Sequence, residues 1–132
     1  MQMATLVLQW IVRLGGIVQI VLGVAFWTRR ALGLLPVHML IGLLVTLAVI
    51  VLSIAAWRAK APVGMAVAGL VLALALPIIG MTQTQLLLGR WHWVIQVIHL
   101  LIGLGTLRMG EALANYLRRR YAHEKPALAP AR

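Results

Sequence analysis

The chain predicts an all-α integral membrane protein, an up-down-up-down four-helix bundle built from two pseudo-repeated helical hairpins. Three observations lead there. Of its 132 residues 63% are hydrophobic, and the mean hydropathy is +1.00, more apolar surface than a soluble domain of this size could hide. The apolar residues fall into four stretches, roughly 4–27, 37–57, 62–82 and 92–117, each long enough to cross a hydrocarbon core of about 30 Å. Finally, the formal charge of +10 is gathered in connections and at the end of the chain, as expected for a protein oriented in a bilayer.

The elements follow in order. The first stretch runs to Trp27 without a small-residue cleavage site, so it reads as a span and not a cleaved leader. The connection Thr28–Pro36 carries Arg29, Arg30, Gly33 and Pro36, with the proline suited to a first helical turn. The second connection, Arg58–Pro62, is short enough to force an antiparallel hairpin. The third, Thr82–Arg90, begins polar and closes with Gly89-Arg90. The four-span bundle is expected to occupy residues 1–121, and 122–132 read as a disordered tail.

Orientation follows from the basic residues. The second connection and the tail contain Arg58, Lys60, Arg118, Arg119, Arg120, Lys125 and Arg132, against Arg29, Arg30 and Arg90 in the other two connections. Both termini are therefore expected in the cytoplasm, as in a multi-pass protein of a bacterial inner membrane. Trp27, Trp91 and Trp93 would mark the outer interface, and Trp10 and Trp57 the inner one. The same basic residues suit anionic lipid headgroups. No nucleic-acid motif or aromatic–basic surface accompanies the charge, so a nucleic-acid partner is not expected. With no cysteine, disulfides, thiolate metal sites and covalent haem attachment are excluded.

One phrase occurs twice. His38-Met-Leu-Ile-Gly-Leu43 lies on the second span and His99-Leu-Leu-Ile-Gly-Leu104 on the fourth. Each sets a glycine one helical turn after a histidine on the same face. The second and fourth spans run in the same direction and are diagonal neighbours in such a bundle. His38 precedes Trp57, and His99 precedes Arg118, by the same number of residues, so the two rings share a depth in the outer half. Ionisable rings inside lipid are costly and mark function. Two facing imidazoles suit the axial positions of a haem iron, leaving no coordination site open for oxygen. Gly42 and Gly103 would let a porphyrin approach the backbone, Gly23 and Gly80 would admit its edges, and Arg29, Arg30 and Arg90 with His92 would meet its propionates.

On these two His-x-x-x-Gly elements and the four-span pattern, the chain resembles four-helix membrane b-type cytochromes with bis-histidine haem. The resemblance implies a single haem b held by His38 and His99, and an electron carrier instead of a catalyst, with a quinol pool or a respiratory complex as partner. Cytochrome b561-like proteins hold two haems between four histidines; here the first and third spans contain none, so one haem is implied.

Other readings stand beside it. His99 could hydrogen-bond Gln19, Thr46 or a backbone carbonyl in a cofactor-free structural or accessory subunit. A chlorophyll-type pigment is a further alternative, although it takes one axial ligand where two rings face each other. His92, between two tryptophans, reads as an interfacial anchor and reserve ligand, and His123 as solvated. The methionines form no Met-x-x-Met cluster to support copper. Arg13, Arg108 and Glu111 make a second polar set near the inner side, where Glu111 can pair with either arginine. It is read as a structural ion pair, with a proton or quinone-head site as its functional alternative. No hydrolytic triad, paired carboxylates or phosphate loop is present.

Overall fold

The computed structural model describes residues 2–124. It consists of four helices, α1 (Gln2–Trp27), α2 (Leu35–Arg58), α3 (Val63–Thr82) and α4 (His92–Glu124), all long and apolar enough to cross a membrane. Short 3-10 turns at Leu32–Leu34, Gln83–Gln85 and Gly89–Trp91 fill the first and third connections. The expected spans are all present, and α4 is the one that departs most. It continues through Arg118–Arg120 to Glu124, so the first residues of the expected tail are helical; the remainder, 125–132, lies outside the described residues.

The helix ends explain the tight hairpins. At the end of α1, Arg30 N–H donates to the Ala25 carbonyl (2.8 Å) and Arg29 N–H to Phe26 (2.9 Å). At the end of α2, Ala61 donates to Ala56 and Lys60 to Trp57, both at 2.9 Å. These paired bonds are Schellman closures, which need a left-handed residue, usually glycine. Here Arg29 (φ 56°) and Lys60 (φ 60°) take that place, each adding a cation where the helix dipole is negative.

Each of α1 and α3 packs on both α2 and α4; α2 and α4 touch directly, while α1 and α3 do not touch among the described residues. The cross-section is therefore a rhombus with α2 and α4 on its short diagonal. The end bearing Gln2 and Arg118–Arg120 is called the arginine end below, and the opposite end, with the first and third connections, the histidine end. The closely packed core lies from the middle toward the arginine end: Val12, Ala48, Val49, Leu52, Ala56, Ala61, Ala73, Leu113, Ala114 and Leu117.

The hairpin repeat shows in the burial pattern. At the offset that separates His38 from His99, the buried Val45, Val49, Leu52, Ser53 and Ala56 of α2 correspond to Thr106, Gly110, Leu113, Ala114 and Leu117 of α4, every one also buried. The same offset relates the buried Thr5 and Val12 of α1 to the buried Ala66 and Ala73 of α3, whereas the buried Gln9, Gly16, Thr46 and Ala48 correspond to the partly buried Leu70, Pro77, Leu107 and Met109. The core contacts agree, because a Cβ on Gly110 would lie 3.0 Å from Val49, its own counterpart.

Candidate functional site at the histidine end

The short diagonal brings His38 and His99 together. Their ring centroids are 6.4 Å apart with the planes tilted by 52°, and Phe26 of α1 meets the His38 ring edge-on at 5.2 Å. Both histidines are partly buried. Each has a buried Nδ1 without a hydrogen-bond partner, as do Gln19 Oε1 and Thr46 Oγ1. These are the only buried side-chain polar atoms so left among the described residues, and all belong to the histidine half. Buried polar atoms are nearly always bonded, so such a group calls for an explanation. The bonds weighed from sequence for His99, to Gln19, Thr46 or a carbonyl, are not made. Gln19 instead donates from Nε2 to the His38 main-chain carbonyl at 2.9 Å.

The four glycines are placed differently from one another. The Gly42 notch is occupied by Gln19, whose Nε2 would be 2.5 Å from a Cβ there. Its counterpart Gly103 lies against Leu76, 3.7 Å from the same imagined atom. Gly80 admits the edge of His99, whose Cε1 would be 2.9 Å from a Cβ. Gly23 has no neighbour within 4 Å of that position. Gln19 and Gly80 are themselves counterparts at the hairpin offset, so an amide stands beside one histidine where bare backbone stands beside the other. Arg29 and Arg30 are exposed in the first connection, and Arg90 lies 5.4 Å over the ring of Trp91. His92 is not drawn to the pair: its Nδ1 is 3.3 Å from the Leu86 carbonyl, within the third connection.

The second polar set contrasts with the first. Arg13 grips Glu111 with two bonds, Nε to Oε1 at 2.6 Å and a terminal nitrogen to Oε2 at 2.9 Å. Gln9, only 1% exposed, donates to Glu111 Oε2 (2.8 Å) and Asn115 Oδ1 (3.1 Å). Arg118 donates back to Gln9 Oε1 at 3.2 Å. Glu111 thus chooses Arg13 across the helix interface, and Arg108 is exposed. Gln9 and Asn115 escaped the sequence reading; the signal was there in the i, i+4 spacings Gln9–Arg13 and Glu111–Asn115, which put each pair on one face.

As a donor set, the histidine pair stands by itself. No group of three or more His, Cys, Asp or Glu side chains able to hold a metal ion occurs among the described residues. No known family, curated protein or solved structure matches the chain.

Proposed function

We propose that the chain is a membrane b-type cytochrome that carries single electrons through one haem b held between His38 and His99. The observation that carries this reading is the facing pair of imidazoles, 6.4 Å apart, each with a buried nitrogen that has no hydrogen-bond partner among the described residues. Imidazole nitrogens bind metals at about 2 Å, so two trans ligands place their ring centres about 6 Å apart. Two histidines are too few for a bare ion, which wants four or more donors. They are sufficient for a metal that arrives with its own equatorial ring.

When bound, a haem iron would supply a one-electron redox couple. His38 and His99 would hold the metal, and their positions along α2 and α4 would set its depth. Phe26 shields His38 on the side of α1. Arg29, Arg30 and Arg90 supply cations at the same end for propionates. The histidine end would face away from the cytoplasm, with both termini on the cytoplasmic side of a bacterial inner membrane. A quinol pool or a respiratory complex would exchange the electrons.

A second reading, a cofactor-free structural or accessory subunit, draws on the notches: Gln19 already fills Gly42 and Leu76 lies against Gly103. Absorption spectra of the purified protein with added haemin separate the two. A Soret band that shifts on reduction is expected, lost in both His38→Ala and His99→Ala and kept in His92→Ala. A folded protein that stays colourless with haemin, or a His99→Ala variant that keeps the band, refutes the cytochrome reading.

A further inference from the structure

At the arginine end a groove of about 540 Å³ runs between α1 and α4, lined by Gln2, Leu6, Asn115, Arg118, Arg119 and Ala122. That volume falls within the range of roughly 300–1,000 Å³ usual for ligand sites. A second groove on the other flank of α4 shares Asn115 and Arg119 and adds Arg120. The linings of both grooves contain arginines and no acidic residue. The sequence has only two acidic side chains, Glu111 and Glu124, and Glu111 is already gripped by Arg13.

Arg118 is oriented from below. Gln9 is buried and fixed by Glu111 and Asn115, and its remaining oxygen accepts one Arg118 nitrogen. The fork of Arg118 is thereby tethered at the groove with other N–H groups unused by that bond. Arg119, beside it, makes no hydrogen bond or ion pair among the described residues. Two guanidiniums, which only donate, and two amides, which can donate from their NH2 groups, surround a recess suited to phosphate oxygens. Beyond the groove, α1 presents the exposed apolar side chains Met3, Val7 and Trp10. A ligand with a phosphate head and hydrocarbon tails matches both parts.

We infer that this groove is a binding site for the phosphate head of an anionic phospholipid, held by Arg118 and Arg119 with Gln2 and Asn115. The site is independent of any haem at the other end. Native mass spectrometry of the full chain in neutral detergent tests it, comparing phosphatidylglycerol with phosphatidylcholine of the same acyl chains. Phosphatidylglycerol is expected to remain bound where phosphatidylcholine is lost. Arg119→Gln should weaken its retention about fivefold, the effect of one basic residue at a membrane surface. Arg118→Gln/Arg119→Gln should weaken it further, and Arg58→Gln, which removes a charge at the same end but lines neither groove, should leave it unchanged. Circular dichroism of each variant checks that it is folded, and Arg119→Gln disturbs no internal bond. Equal retention of the two lipids, or no loss in Arg119→Gln, overturns the proposal. Displacement of the lipid by millimolar inorganic phosphate would make this a free-anion site instead, and overturns it as well.

Discussion

Toward the arginine end the buried side-chain amide and its carboxylate neighbour bond to one another, whereas the histidine end holds buried polar atoms with no partner among the described residues. The buried Gln9 and the partly buried Glu111 are met on every side by Arg13, Asn115 and Arg118, which are exposed. His38, His99, Gln19 and Thr46 each keep one buried atom with no partner among the described residues. The packing differs in the same sense. Val12, Val49, Leu52, Leu113 and Leu117 are wholly buried in the arginine half, while the histidine half has glycine notches and a ring pair at its centre. A network complete in itself accounts for stability. An incomplete one points to something outside the chain, and that contrast is why the histidine end carries the functional proposal.

The largest test of this contrast is in the core. Leu113→Ala should lower the unfolding free energy in detergent by about 2–5 kcal/mol, the usual effect of emptying a buried leucine site. Truncating Ile98, on the same helix but 38% exposed, should cost far less. A comparable loss at both positions would mean that the two halves are packed alike.

Glycines sharpen the comparison at a smaller scale. A methyl group on Gly69 would press on Ser53 and on Leu113 Cδ1 at 2.8 Å, inside the tight half. Gly69→Ala should therefore cost about 1–3 kcal/mol. On Gly42 it would meet only the end of the Gln19 side chain, which can swing aside, so Gly42→Ala should be the milder variant in the same thermal melts.

The smallest effects differ in sign. Glu111→Gln removes the charge that Arg13 grips and should destabilise by about 1 kcal/mol, since polar contacts between membrane helices are individually modest. His99→Leu, measured without added haem, should be neutral or stabilising by up to about 1 kcal/mol, because it removes a buried atom that has no bond to lose. If His99→Leu destabilises as Glu111→Gln does, the histidine is bonded in solution and the division between the halves fails.

Much of this was legible before the structure. Four apolar stretches, short connections and two repeated His/Gly elements were enough for the fold class, the helix order and the common depth of His38 and His99. Depth is a matter of counting residues along a helix, which a sequence records directly. Rotation about the helix axis is not, because helices apolar on most sides carry little directional signal. Thus Gln19 was weighed as a partner for His99 and instead bonds the backbone of His38. Gln9 passed unnoticed because its importance comes from α4, brought alongside only by the fold. The Schellman closures were hidden for another reason. They use Arg29 and Lys60 where a reader looks for glycine.

The exchange of Gln19 for Gly80 has one more consequence. The matched histidines by themselves would let a flat guest seated on the line between His38 and His99 enter with either face toward α1. A carboxamide on one wall and naked main chain on the other distinguish those two poses. That difference would give a cradle built on a matched pair of histidines a handedness.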